Sequence, residues 1–160
     1  MNRILEVLNR KSEKIDIQAL YQAACKDIAE KVQANRTSIW RFNSEKTRII
    51  CDCYYITETD EFSSGQVLQA SHAPRYFETI QTEQYVVASD ARSVKATACL
   101  AEQYLVPNDI HSLLDYIIHI NFKPVGIICC ENAYEQRTWT EADKKYLLEV
   151  STLVSFSLMR

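Results

Sequence analysis

The sequence predicts an α+β domain in which a central, mainly antiparallel sheet of five to six strands lies between long helices at its two ends. Apolar residues recur at helical spacing near both ends of the chain, and short alternating runs separated by polar turns lie between them. We expect the terminal helices to cover one sheet face, and short helices and loops from residues 63–109 to form a lid over the other. A lid over a sheet encloses a cavity of the kind that holds small ligands.

The composition fits one globular domain, since 47% of the 160 residues are hydrophobic and 24% are charged. Residues 16–160 are predicted to form that domain, and residues 1–15 a lead-in helical segment. The apolar stripe of this segment is expected to pair with a second copy of the chain; it consists of Ile4, Leu5, Val7 and Leu8. Because the helical pattern runs to the last residue without a stop signal, we expect a piece of a longer receptor, or a stand-alone copy of one.

The individual elements follow from apolar spacing and from capping residues. The first long helix is predicted over 16–35 with Asp16 as its N-cap, and the last begins after Thr140, with Asp143 three residues on. Pro74 suits the first turn of a short helix that is predicted to run through Ile80. The predicted strands are 37–42, 47–56, 85–88, 112–120 and 125–131, and 93–105 is predicted to be helical. The first two strands and the last two are each expected to form a hairpin.

Charge and composition exclude several function classes. A net charge of −3 provides no basic surface for a nucleic-acid partner, and two glycines are too few for a glycine-rich phosphate loop. No apolar run is long enough to cross a membrane, and the start of the chain lacks the apolar block of a signal peptide. The sequence therefore predicts a cytoplasmic protein with no membrane partner. Its six cysteines are expected to be reduced and mostly buried.

A set of segments, taken in order, resembles the GAF domain family. The run PVGIICCEN at 124–132, followed by RTWTE at 137–141, resembles the closing signature of that family. The upstream segments that match are 35–42, 74–76, 87–91 and 112–115, together with Tyr104. The resemblance covers about residues 16–159. It implies a regulatory module that binds a ligand or partner, forms a homodimer through its terminal helices and controls an output domain in a longer chain.

The resemblance does not identify the ligand, and the cofactor stays unknown at this point. Family members bind cyclic nucleotides, bilins, haem or small metabolites. Covalent bilin sites usually have a cysteine followed directly by histidine, whereas Cys99 is followed by Leu100. Some members reduce free methionine sulfoxide with cysteines in the loop before the fourth strand, and residues 107–112 contain no cysteine.

The candidate ligand-binding residues combine aromatic rings with small polar side chains. Trp40 lies where the resemblance places a pocket aromatic, and alternation puts it on one strand face with Ser38 and Phe42. Tyrosines of the lid segment and its neighbouring strand are expected to add rings with polar tips. The full predicted set is Trp40, Cys51, Cys53, Tyr76, Asp90, Tyr104, Ser112, Tyr116 and Cys129.

Two other interpretations of these residues stay open. The rings could fill the cavity themselves, which would leave a dimerisation or partner-docking domain with no ligand. Alternatively, the cysteines could belong to a thiol-dependent enzyme such as a free methionine sulfoxide reductase. A pair such as Cys129 with His119 has no recognisable group to orient the histidine, so no catalytic residue is assigned and no catalysis is expected.

A metal site is not predicted. Cys51 and Cys53 are two residues apart on a predicted strand and are therefore expected to face the same side, a spacing that could present two thiolates to a metal. Packing as small hydrophobic residues is the favoured interpretation. The remaining ligand types do not cluster, because His72, His111 and His119 are scattered over three elements.

Overall fold

A computed structural model describes residues 1–11 and 14–159. Helices and strands follow one another as α1 (Asn2–Leu8), α2 (Ile17–Val32), β1 (Arg36–Phe42), β2 (Arg48–Ile56), β3 (Glu61–Ser63), β4 (Val67–Gln69), α3 (Pro74–Thr82), β5 (Tyr85–Ala88), β6 (Ile110–Ile120), β7 (Lys123–Ala133) and α4 (Glu141–Val154). This order confirms the predicted α+β fold. The predicted segments 1–15 and 16–160 include residues 12, 13 and 160, which lie outside the described residues. Among the described residues, no helix has the length and apolar character needed to cross a membrane.

The sheet has seven strands in the order β3-β2-β1-β7-β6-β5, with β4 also paired to β2. All its pairings are antiparallel, and both predicted hairpins are present as β1–β2 and β6–β7. The pairing of β1 with β7 joins the two hairpins at the centre. Strands β3 and β4 extend the sheet beyond the predicted five to six strands. Each has three residues, too few for an alternating pattern to be recognised in the sequence.

Helices α1, α2 and α4 cover one face of the sheet, as expected for the two ends of the chain. Leu20 and Ile28 of α2 are fully buried in one cluster with Ile39 of β1 and Leu147 of α4. Both predicted caps are present. The Asp16 side chain accepts a hydrogen bond from Ala19 N–H at 3.0 Å, and Thr140 and Asp143 form a reciprocal capping box at the start of α4.

Helix α1 packs on this same core, which corrects the expectation for its apolar stripe. Ile4 and Val7 are buried, and the backbone N–H of Ile4 donates to Asp27 Oδ2 at 3.0 Å. Arg3 Nη1 donates to the other oxygen of Asp27 at 2.9 Å. Ile4 and Val7 therefore pack within their own chain and are not available to contact a second copy. Leu5 is the exposed member of the stripe.

The opposite sheet face is covered by α3 and by the segment between β5 and β6. This segment contains turns, a 3-10 turn at Ala98–Leu100 and a π-helical turn at Ala101–Leu105 in place of the regular helix predicted over 93–105. Thr97 explains part of the difference, because its hydroxyl donates to the carbonyl of Ala91 at 2.6 Å and competes with the regular helical pattern.

A bulge in β2 changes which cysteine faces which side. Ile39 pairs with Cys53 while Trp40 pairs with Cys51, so Asp52 is the extra residue of the bulged strand. Residues directly opposite in an antiparallel pair lie on the same face. Cys53 therefore packs with Ile39 under the helices, and Cys51 shares the side of Trp40. The expectation that the two cysteines face the same side is wrong.

Gly126 lies at a close approach between β7, β1 and the C-terminal turn Ser155–Met159. A β-carbon at this position would lie 2.8 Å from the carbonyl oxygen of Trp40 and 2.7 Å from Leu158 Cδ1. We expect Gly126→Ala to lower the free energy of unfolding by about 1–3 kcal/mol, the usual cost of overpacking, in urea denaturation. Adding Leu158→Ala should restore only part of the loss, because the backbone contact stays. A Gly126→Ala protein as stable as the wild type would contradict this packing.

Candidate ligand-binding site

A cavity of about 440 Å³ lies between the sheet and the lid, on the side away from the long helices. Its volume falls in the range of about 300–1,000 Å³ that is usual for small-molecule sites. The walls are mainly apolar. The sheet contributes Trp40, Ile49, Tyr54, Leu68, Leu113, Cys129 and Glu131, and the covering segments contribute Tyr76, Leu100, Tyr104 and Asn108.

Strand alternation explains why these side chains meet. On β7, Cys129 and Glu131 face the cavity, while the alternate residues Ile128 and Cys130 pack under the helices. The β1–β7 register then places Ser38 opposite Cys129 and Arg36 opposite Glu131. The bulge in β2 returns Tyr54 to the cavity side, since Tyr54 pairs with Ser38.

Glu131 is the central polar group of the cavity and is only 1% exposed. Its Oε1 atom accepts hydrogen bonds from the hydroxyls of Tyr104 at 2.7 Å and Tyr54 at 2.9 Å. Burial raises the pKa of Glu131 to about 7, although both tyrosine hydroxyls favour the ionised form and oppose this shift. The carboxyl group therefore changes charge near neutral pH.

A second buried carboxyl lies beside the cavity wall. Asp115 of β6 is fully buried, pairs with Cys129 in the β6–β7 register and accepts a hydrogen bond from the Tyr76 hydroxyl at 2.5 Å. Burial raises the pKa of Asp115 to about 6, against the effect of hydrogen bonds from Tyr76 and from the Cys129 thiol, which both favour the ionised form.

Four of the predicted ligand-binding residues line the cavity: Trp40, Tyr76, Tyr104 and Cys129. Trp40 is half-buried, and its indole N–H donates to Ser38 Oγ at 2.8 Å. The prediction placed Trp40 by alternation on its strand together with the family resemblance, and the tyrosines by their position in the lid segment. These arguments account for three of the four residues, and no local pattern marked Cys129.

The other predicted residues lie outside the cavity lining. Tyr116 points from β6 towards the helices, where its ring meets Tyr85 edge-on with centroids 5.1 Å apart. Cys53 lies in the same helix-side core, next to Cys25 of α2. Cys51 is buried, and its backbone pairs with the segment before β4 at Gln66.

Ser112 and Asp90 have their described polar contacts within the protein itself. The Ser112 hydroxyl donates to the carbonyl of Ser89 at 2.6 Å and accepts from the backbone N–H of Arg137 at 2.7 Å, so it ties β6 to two loops. The backbone carbonyl of Asp90 accepts from Ser93 and Val94 N–H in the turn after β5.

The predicted ligand-binding set left out Glu131, Tyr54, Arg36 and Asp115. A signal for the two acids was present, because each is a charged residue inside an apolar run of a central strand, LLDYII and IICCEN. Charged residues are almost never fully buried unless they are paired. Nothing local marked Tyr54, because it reaches the cavity through the bulge at Asp52.

The structure gives no support to a metal or thiol centre at these residues. Within residues 1–11 and 14–159, no group of three or more histidine, cysteine or acidic side chains is arranged to hold a metal ion. The cysteines carry no disulfide. Burial raises the pKa of Cys51 and of Cys129, which keeps both thiols protonated and weakly nucleophilic at neutral pH.

Comparison with known proteins gives one family and a set of solved structures. The GAF domain model matches residues 16–158. No curated protein matches the sequence. The GAF domain from an Acinetobacter phosphoenolpyruvate-protein phosphotransferase is 15% identical, with a TM-score of 0.69, over 98% of this chain and 90% of that chain.

Two photoreceptor structures are also similar. The blue-light absorbing form of the Thermosynechococcus elongatus PixJ GAF domain is 18% identical, with a TM-score of 0.67, over 94% of this chain and 89% of that chain. The Stigmatella aurantiaca phytochrome photosensory core module is 14% identical, with a TM-score of 0.71, over 99% of this chain and 36% of that chain. At these identities the likeness concerns the fold.

The two buried carboxyls predict how stability depends on pH. Both pKa values are raised, to about 7 for Glu131 and about 6 for Asp115, so the folded state holds these protons more tightly than the unfolded chain does. Their contribution to stability is therefore complete at low pH and is lost as the pH rises through these values, at about 1.4 kcal/mol per pH unit for each titrating group.

We expect the free energy of unfolding in urea to fall between about pH 5 and pH 7.5, and Glu131→Gln to remove roughly half of this slope. The matched control is Glu135→Gln, a substitution of an exposed acid near the end of β7, which should keep the wild-type slope. A stability that is flat or rises over this interval would show that the buried carboxyls are ionised at all these pH values.

Proposed function

Because this chain belongs to the GAF domain family, we propose that it is a sensory or regulatory domain that binds a small molecule in the cavity between sheet and lid. The observation that carries this proposal is the cavity itself, about 440 Å³ of mainly apolar space around a buried carboxyl group. Large apolar sites with a few convergent polar groups are the usual form of ligand pockets.

The alternative of a partner-docking domain with a filled pocket has less support. In that interpretation the aromatic rings occupy the cavity, whereas here Trp40, Tyr54, Tyr76 and Tyr104 stand around its walls. A thiol-dependent enzyme also has less support, because the cysteine at the cavity, Cys129, has its pKa raised by burial. We therefore propose that the domain acts by binding and has no turnover of its own.

The central strands provide a route from ligand to helices. Neighbouring residues of β1 belong to opposite faces, since Trp40 lines the cavity while Ile39 packs under α2 and α4. The carbonyl of Trp40 also lies at the tight contact between Gly126 and Leu158 of the C-terminal turn. A ligand signals in this way only if it binds two arrangements of the helices with different affinity.

Trp40 provides a direct test of the ligand site. We expect native mass spectrometry of protein purified from its own cells to show a retained small molecule, whose rebinding changes indole fluorescence because it contacts the Trp40 ring. Trp40→Phe should remove this change and weaken binding about tenfold, a loss typical of one aromatic contact.

The matched control for this test is Trp139→Phe. Trp139 is buried in the helix-side core beneath the Arg137 guanidinium, which lies 4.7 Å from its ring centroid. This variant should keep both the affinity and the fluorescence response. A retained molecule that binds Trp40→Phe with unchanged affinity and leaves the indole emission of the wild type unchanged would place the ligand elsewhere.

The domain is also proposed to form a homodimer and to regulate an output domain in a longer chain. The surface we propose for the dimer includes the exposed apolar side chains Leu148 of α4 and Phe156 of the C-terminal turn, each 39% exposed. Support for a longer chain comes from the phytochrome photosensory core module. The part of that chain that matches this domain makes up 36% of its length, so the similar fold there is one part of a larger protein.

We expect sedimentation velocity to show a dimer at micromolar concentration, and Leu148→Glu to convert it to a monomer by placing a charge in the interface. Glu149→Gln, an exposed neighbour on α4, is the control and should stay dimeric. A monomeric wild-type protein at these concentrations would overturn the proposed dimer.

A further inference from the structure

We infer that the ligand of this cavity is a planar organic cation that donates N–H hydrogen bonds to Glu131. This inference rests on the proposed function, because it names the chemical class of molecule that the same cavity takes. It depends on a count of the donors and acceptors that the walls leave free, and on the balance of charge around them.

The side-chain donors in the deep part of the cavity are already used within the protein. The Trp40 indole N–H donates to Ser38 Oγ at 2.8 Å, and the Tyr76 hydroxyl donates to Asp115. The hydroxyls of Tyr54 and Tyr104 lie within hydrogen-bond distance of Glu131 Oε1 and, at 2.9 Å, of each other, so the hydrogen of each hydroxyl is used within this group. An indole has one N–H and a tyrosine one O–H, so none of these rings has a further hydrogen to offer.

The tyrosine hydroxyls and the Glu131 carboxylate still have free hydrogen-bond acceptors that a ligand could use. Each tyrosine oxygen keeps lone pairs after it has donated, and a carboxylate offers about four lone-pair sites, of which Tyr54 and Tyr104 occupy two at Glu131. A molecule that brings acceptors would leave them buried without partners, at a cost of about 1–3 kcal/mol each. A molecule that brings donors satisfies both sides.

The positive charge that lines the cavity, Arg36, is already paired. Its Nη1 atom donates to both carboxylate oxygens of Glu58 at 2.8 Å, and its Nη2 atom donates to the Tyr134 hydroxyl at 3.4 Å. The amide of Gln66, which also lines the cavity, donates to Ser63 Oγ at 2.8 Å. An anionic ligand would have to compete with Glu58 for the guanidinium group.

The deeper charge is negative. Glu131 lies in the wall, and Asp115 lies beside Cys129 on the neighbouring strand. Burial is the main cause of the raised pKa of Glu131; the Coulombic repulsion from Asp115 adds to the shift, and the charge of Arg36 opposes it. A cation placed against Glu131 relieves this repulsion, whereas an anion adds a further negative charge in a buried site. Ring walls such as Trp40 favour a planar group and attract a cation through their faces.

The pH dependence of binding follows from the same groups. Those around Glu131 are Arg36 on β1, Tyr54 on β2, Tyr104 in the lid and Cys129 on β7, with Asp115 on β6 and its partner Tyr76 next to Cys129. Since the pKa of Glu131 is about 7, a cation that prefers the ionised carboxylate must bind more tightly as the pH rises through neutrality.

Three probes of equal size and different charge test the inference by isothermal titration calorimetry on the full chain. They are 2-naphthamidine, a cation with a fork of N–H donors; 2-naphthamide, a neutral donor and acceptor; and 2-naphthoate, an anion with acceptors only. We expect naphthamidine to bind at least about tenfold more tightly than naphthoate at pH 7.5, and its affinity to fall when the pH is lowered to about 6.

Variants identify the groups responsible. Glu131→Gln preserves the shape of the side chain, and it should weaken naphthamidine binding about tenfold or more and remove its pH dependence. The exposed Glu135→Gln is the matched control and should change neither. Glu58→Gln should have the opposite effect and raise the affinity for naphthoate, because it releases the Arg36 guanidinium.

The outcomes separate this inference from the proposed function. Naphthoate binding as tightly as naphthamidine to the wild type, or a naphthamidine affinity that Glu131→Gln leaves unchanged, overturns the inference while the cavity stays a ligand site. Failure of all three probes to bind also overturns it. The function proposed for the cavity then depends on the retained molecule and the Trp40 response, which do not use these probes.

Discussion

The pairing of β1 with β7 at the centre of the sheet decides which side chains can act together in this domain. Its register places Ser38 against Cys129 and Arg36 against Glu131, and so aligns the cavity-facing residues of the two strands. Because side chains alternate along a strand, a shift of one residue would turn the acid towards the helices and an apolar residue towards the cavity. The same pairing joins the two hairpins into one sheet.

The cavity has a polar centre that a purely structural core would not need. Glu131 and Asp115 are buried charges in central strands, and each needs tyrosine hydroxyls to compensate for the loss of water. Groups that cost stability in this way are concentrated at functional sites, where the polar arrangement is prepared for a ligand.

The helix side of the sheet is apolar and closely connected to the cavity side. Ile39 and Ile128 belong to the strands that carry Trp40 and Glu131, and both are completely buried under the helices. Buried interiors are packed at nearly crystalline density, so movement of a central strand displaces what lies on it. Gly126 adds a second link, since its missing side chain lets the C-terminal turn contact β1 closely.

Local patterns in the sequence were sufficient for most of the elements and for part of the site. Asp16 and Thr140 marked the helix starts, and alternation put Trp40 on one strand face, which the family resemblance assigned to the pocket. Capping and alternation depend on residues a few positions apart, so they can be recognised without knowledge of the fold.

What only the tertiary structure decided depends on contacts between distant residues. The bulge at Asp52 separated Cys51 from Cys53 and turned Tyr54 into the cavity, where it meets a carboxylate 77 positions later in the chain. Helix α1 packs Ile4 and Val7 against the core of its own chain, because Asp27 of α2 accepts a hydrogen bond from its first turn. The proton affinity of Glu131 likewise comes from burial and from its neighbours in space, which the order of residues along a chain does not reveal.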